Sequence, residues 1–219
     1  MRKRMLAKGL TVLPRMSVEQ RRSALIESAY RVIADHGVEG ATTRRICAHA
    51  GMPLASFHYA FESRTALLCA VMDHAVPVDI ERMLHSVMPA ADFGPEPDID
   101  ALKQNMVRQF HAFVDLLKAD PGRMQATIAL GIYAHNHPEL QQVGKVMYEQ
   151  LYRVAASGMR EIAELAGLTW TRPTEELGPL IIAATNSITL IYLSTGDDKV
   201  VDSLIAAVAE QLATYVTFE

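Results

Sequence analysis

Thr42, Thr43, Arg44 and Arg45 set two hydroxyls and two guanidinium groups where the surrounding pattern starts a short helix. Hydroxyls, guanidinium groups and the unbonded N–H groups of a helix start all suit phosphate oxygens. Shortly after them, Leu54, Ala55, Ser56, His58 and Tyr59 fall on one side of a second short helix. Small side chains there let a backbone approach base pairs, Ser, His and Tyr can donate to base edges or phosphates, and Leu54 can meet a thymine methyl. This chemistry is recognition of duplex DNA.

A second set of groups suggests different chemistry. His135, His137 and Glu139, with His111 elsewhere, are conceivable metal ligands and would make the chain a metal-dependent enzyme. Asn136 and Pro138 between them read as turn chemistry, which favours solvated side chains at a helix corner. No GxSxG, GxGxxG, Walker or HExxH pattern occurs. The expectation is therefore no enzyme, no cofactor and no metal. Cys47 and Cys69 stand in neither a CxxC nor a Cys/His spacing, which fits a reducing cytoplasm.

The elements that hold these residues are helical. Ser17 with Gln20 forms a capping-box pattern, and Leu25, Ile26, Ala29, Val32 and Ile33 recur at helical spacing until Gly37. A second helix starts after Gly40 with Thr42 or Thr43 as its cap and ends at Gly51, and a third runs from about Leu54 to Phe61. Ser63 caps a longer helix toward Met83, irregular near Pro77. A loop rich in proline covers 86–97. Helices are expected near 98–119, 122–135, 137–166, 174–194 and 198–216, with no competing strand pattern. The fold class is all-α: a three-helix N-terminal head on a body of about six helices.

Charge separates the halves. Residues 1–64 carry a net charge of +6 and the remainder −10. The phosphate-seeking surface is thus N-terminal. Residues 1–16 read as a flexible basic arm. Leu177–Gly196 is an uncharged run of 20 residues, long enough to span a bilayer. Its Pro179, Thr185, Asn186, Ser187, Thr189, Ser194 and Thr195 make it a core or interface helix instead, and no membrane partner is expected.

Residues 17–72 resemble the DNA-binding head of the tetracycline-repressor (TetR) family. The resemblance rests on Thr42-Thr43-Arg44-Arg45-Ile46-Cys47-Ala48-His49-Ala50-Gly51, then Ala55-Ser56-Phe57-His58-Tyr59-Ala60-Phe61 and Ser63-Arg64-Thr65-Ala66-Leu67-Leu68. Cys47 replaces the family's usual alanine. Arg64 replaces its lysine and keeps a cation for phosphate. His58 occupies the slot of the usual tyrosine, so either His58 or Tyr59 makes the phosphate contact.

The resemblance implies a cytoplasmic DNA-binding regulator, by default a repressor, acting as a homodimer on an inverted-repeat operator. It divides the chain into a head at 17–64 and a body at 65–219 for dimerisation and ligand sensing. Dimer contacts would come from 177–196 and 198–216, where Leu204, Val208, Leu212 and Tyr215 share a face. A small apolar or amphipathic effector would bind among the methionines and aromatics of the middle helices, with Met106, Phe110, Met124, Met147, Leu151 and Asn186 as candidate lining residues. A rival reading is a helical adaptor that has lost DNA binding; salt-sensitive DNA affinity separates the two.

Overall fold

The computed structural model describes residues 16–88, 93 and 98–218. The basic arm and most of the proline-rich loop fall outside the described residues. The chain forms helices α1 (Val18–Gly40), α2 (Thr43–His49), α3 (Ala55–Ala60), α4 (Arg64–Ala70), α5 (Val76–Val87), α6 (Ile99–Ala119), α7 (Pro121–His135), α8 (Gln141–Ala166), α9 (Thr174–Thr195) and α10 (Asp198–Ala213).

Local signals in the sequence explain most boundaries. The Ser17 hydroxyl accepts from the Gln20 N–H at 3.1 Å while Gln20 accepts from the Ser17 N–H at 2.9 Å, completing the capping box. Gly37 breaks the helical path of α1 with φ 70° and ψ 170°, a conformation suited to glycine. Asp98 caps α6 and Asp197 caps α10 through their carboxylates.

Irregularity near Pro77 takes the form of a π-helical turn, Val71–Ala75, between α4 and α5. Proline has no N–H to offer the carbonyl of residue 73. One turn earlier the helix widens, and the Val76 N–H reaches back five residues to the Val71 carbonyl.

Two short strands depart from the all-helical expectation. β1 (Leu168–Trp170) pairs antiparallel with β2 (Val216–Phe218), in register Leu168 to Phe218 and Trp170 to Val216. The last helix therefore stops at Ala213, short of residue 216. Thr214 and Tyr215 turn the chain back, and Val216, Thr217 and Phe218 are types that favour a pleated, half-buried ribbon.

One continuous core runs from Leu25 in α1 to Leu212 in α10. The head is joined to the body chiefly by α1 lying along α7. Gly122 permits that approach, because a Cβ there would sit 2.6 Å from the Ala34 carbonyl oxygen. Around it, Arg31 pairs with Asp35 and Asp120, and Arg123 pairs with Asp79 at 2.6 Å and with Asp120 at 3.0 Å.

Helix α9 has the length and hydropathy to cross a membrane. It packs on α8 instead, close enough that a Cβ on Gly178 would meet the Tyr152 carbonyl oxygen at 2.5 Å. Its Thr185, Thr189 and Thr195 hydroxyls donate to carbonyls of its own preceding turn.

Replacing Gly122 with alanine is expected to force α1 and α7 apart. The overpacking should lower the unfolding free energy by about 1–3 kcal/mol, read as an earlier urea midpoint, and an unchanged midpoint would refute the close seating.

Candidate nucleic-acid interface and effector cavity

Helices α2 and α3 are held at a fixed angle by a compact turn. Gly51 takes φ 63°, and the Met52 N–H donates to the Cys47 carbonyl at 2.8 Å. Phe57 and Phe61, with ring centres 5.9 Å apart, drive α3 into the head core. Arg22 of α1 lies 4.2 Å over the Phe61 ring and donates to the Ala60 carbonyl at 3.0 Å, locking the end of α3.

Thr42, rather than Thr43, caps α2, and its hydroxyl accepts from the Arg45 N–H at 3.3 Å. Arg44 is exposed, whereas Arg45 folds back to the Gly40 carbonyl at 2.6 Å. Thr43 is half-buried. On α3 the open side carries Ala55, His58 and Tyr59, with Leu54 just before it and Ser56 half-buried. Tyr59 is 74% exposed, so both His58 and Tyr59 stand at the surface.

Arg64 departs from the expected phosphate contact. Its guanidinium turns inward, donating to the carbonyls of Ala41 (2.9 Å) and Val38 and to the Tyr133 hydroxyl (3.1 Å). The cause is local: past the kink at Gly37 the carbonyls of Val38, which also accepts from the Ala41 N–H at 3.2 Å, and Ala41 both lie within reach of Arg64, and a forked cation bonds both. Arg64 thus ties the start of α4 to both α1 and α7. Tyr133 in turn stacks on His137 at 3.8 Å, and His137 Nδ1 donates to the Tyr133 carbonyl at 2.7 Å.

That stacking also bears on the metal reading. His111 faces Asp202 of α10 at 3.0 Å, whereas His137 stacks on Tyr133 of α7. Among the described residues, no three His, Cys, Asp or Glu side chains converge as metal ligands. Cys47 is buried, and burial pushes its thiol above the ordinary cysteine range.

The body holds a partly open apolar cavity of about 130 Å³ among α5 to α10, with Trp170 of β1 at its side. Met106, Phe110, Met124, Leu151 and Asn186 line it. Met147 is fully buried in the adjoining core and is not part of the wall. Sequence periodicity missed Ile80, Met83 and Leu84 of α5, which complete the wall on the side of the bridging segment. The added π-turn residue shifts that face, so spacing across Pro77 misreads it. Trp170 donates its indole N–H to the Met159 carbonyl at 2.9 Å, leaving its ring as apolar wall.

Cavity and head meet at Tyr30. Its hydroxyl lies 3.1 Å from Asp79 on α5, 3.3 Å from the Arg123 carbonyl and 3.4 Å from Thr127 on α7. Burial, and then the nearby Asp79 carboxylate, hold the phenol far above its ordinary range, so it stays a neutral donor. Thr127 itself lines the cavity, as do Met124 beside Arg123 and Ile80 beside Asp79.

Helices α2 and α3, joined by the turn at Gly51, form a helix-turn-helix carried on a larger helical body. Residues 25–71 match the family model described as bacterial regulatory proteins, tetR family. A curated relative, the nicotine-responsive transcriptional repressor HdnoR of Paenarthrobacter nicotinovorans, is 29% identical over 61% of this chain. The chain spans 64% of that relative's length. A transcriptional regulator from Rhodococcus sp. Rha1 superposes with a TM-score of 0.59 at 16% identity, over 88% of this chain and 96% of the other. The multidrug binding protein EbrR, solved with imidazole, gives a TM-score of 0.57 at 22% identity, over 86% and 94%. On these findings residues 25–71 are similar to the tetR family of bacterial regulatory proteins.

The inward guanidinium makes a distinction between two arginines. Arg64→Met should cost about 1.5–3 kcal/mol of stability, the scale for hydrogen bonds to a charged group, whereas Arg44→Ala should stay within about 0.5 kcal/mol as a surface change. Chemical denaturation of the two variants checks this, and equal stabilities would return Arg64 to the surface.

Proposed function

We propose that the chain is a ligand-responsive repressor that binds an inverted-repeat operator as a homodimer and leaves it when a small apolar or amphipathic molecule enters the body cavity. The observation that carries the reading is the sharing of α5 and α7 between cavity and head: Thr127 belongs to the cavity wall and also sits against the Tyr30 hydroxyl of α1. A molecule that displaces the wall changes the seat of the head. Release needs only differential affinity for the two arrangements, typically about 1–3 kcal/mol of coupling.

In this reading residues 17–64 form the DNA-binding head and 65–219 the dimerisation and ligand-binding body, working in the cytoplasm where the DNA is. Thr42, Thr43, Arg44, Arg45 and either His58 or Tyr59 face the phosphates, while Leu54, Ala55 and Ser56 approach base edges. Two copies are needed because α3, at six residues, reaches few base pairs alone. A dimer face is supported by α9 and α10. Leu180, Leu190 and Val200 are 41%, 52% and 46% exposed within one chain, and Leu204 and Val208 are half-buried beside them. A second copy would cover this stripe, with twofold symmetry matching the operator. HdnoR, by its name, is a repressor that responds to a small molecule, which supports the same mode of action here.

Selection of bound sequences from random duplex DNA tests the proposal. An enriched inverted repeat is the expected result, with affinity falling steeply between low and moderate salt as counterions are released. Arg44→Ala should weaken binding to all sequences alike and lower the salt slope by about 1. Failure of a folded protein to enrich any motif at low salt would overturn the repressor reading and favour the adaptor.

A further inference from the structure

We infer that the body cavity takes a neutral, single-ring molecule bearing one hydrogen-bonding group, and rejects organic cations and carboxylates of the same shape. This rests on the reading of the cavity as the effector site. Size sets the first limit. An apolar cavity of about 150 Å³ holds benzene, and this one, at about 130 Å³, is of the same order. Met83, Met106, Met124 and Met159 in the wall are flexible enough to yield the space of a substituent.

Charge sets the second limit. None of the described side chains lining the cavity is ionisable, and its polar members are Gln109, Thr127, Thr185 and Asn186. A buried ion without a partner is far costlier than a buried neutral group. An ammonium or carboxylate would meet thioethers, methyls and ring faces, with no opposite charge in the wall. Methionine sulfur and the faces of Phe110, Phe113 and Trp170 attract a cation, but by less than an unpaired ion loses on leaving water.

Hydrogen bonding sets the third. The Thr185 hydroxyl donates to the Ile182 carbonyl at 3.1 Å, Thr127 is engaged with Tyr30 and Arg123, and Asn186 is bonded to Tyr148. Gln109 differs, because its amide Nε2 rests 3.7 Å from the Met88 sulfur, a weak acceptor. Exchanging that sulfur for the hydroxyl or carbonyl oxygen of an occupant strengthens the bond. Gln109 is therefore the residue that selects a polar substituent on an otherwise apolar ring.

Three near-isosteric probes test this on the full-length protein at neutral pH: benzyl alcohol, benzylammonium and benzoate, followed by titration calorimetry and thermal shift. Benzyl alcohol is expected to bind and raise the Tm, with the two ions at least tenfold weaker. Ala155→Leu, which fills the cavity, should abolish benzyl alcohol binding. Gln109→Met should weaken benzyl alcohol several-fold while leaving toluene unchanged, and it carries the test if Ala155→Leu does not fold. Benzylammonium or benzoate binding as tightly as benzyl alcohol, no binding by any probe, or benzyl alcohol binding indifferent to the folded variants would each overturn the inference. None of these results touches the operator selection, so the ligand class and the repressor reading can fail separately.

Discussion

The structure depends on the seating of α1 against α7. The N-terminal head, built around the short helices α2, α3 and α4, has little core of its own to define its orientation. Here the missing surface comes from the body. Ala34 lies against the bare backbone of Gly122, Tyr30 reaches between α5 and α7, and Arg64 clamps the other end through Tyr133. Core residues continue from the head into the body without a gap. Such packing transmits displacement, because close-packed interiors shift between discrete arrangements rather than deforming smoothly.

Electrostatics follows the same division of labour. The net positive charge of the N-terminal portion suits a polyanion, and the acidic body supplies the carboxylates that hold the head's inner face. Asp79 and Asp120 reach Tyr30, Arg31 and Arg123 at the junction. Farther away, Lys103, His111 and Lys118 of α6 meet Glu210, Asp202 and Asp198 of α10 in a row along one edge. These outer pairs are exposed, and each contributes little to stability. Their spacing follows the antiparallel course of α10 along α6, which the buried Ile205 and Ala209 hold in the core.

Much of this architecture was legible in the residues. Ser17 with Gln20, the glycines at 37 and 51, and the Phe57–Phe61 pair act through local rules of capping, backbone conformation and periodicity, so a one-dimensional reading locates them. The inward turn of Arg64 was not legible, because it depends on where the kink at Gly37 brings two carbonyls and on a tyrosine far along the chain. The β1–β2 ribbon was hidden for a similar reason: three-residue strands carry no periodic signal, and their pairing joins segments 168–170 and 216–218. Among the candidate cavity residues, Met147 shows the limit of composition. A methionine on the right helix faces plain core when it stands one face away from the void.

The π-turn has a consequence for how the bridging segment encodes its two tasks. A regular helix advances about 100° per residue, so one additional residue taken up in a wider turn shifts the sequence phase of everything beyond it by roughly that angle. Upstream, Leu67, Leu68 and Val71 point into the core shared with the head; downstream, Ile80, Met83 and Leu84 point at the cavity. The two apolar faces are thus written in different phases of one continuous segment, joined at Val71–Ala75. Because the wider turn takes up the extra residue, the downstream face still meets its cavity; loss of a single residue there would bring both faces into one regular helical phase.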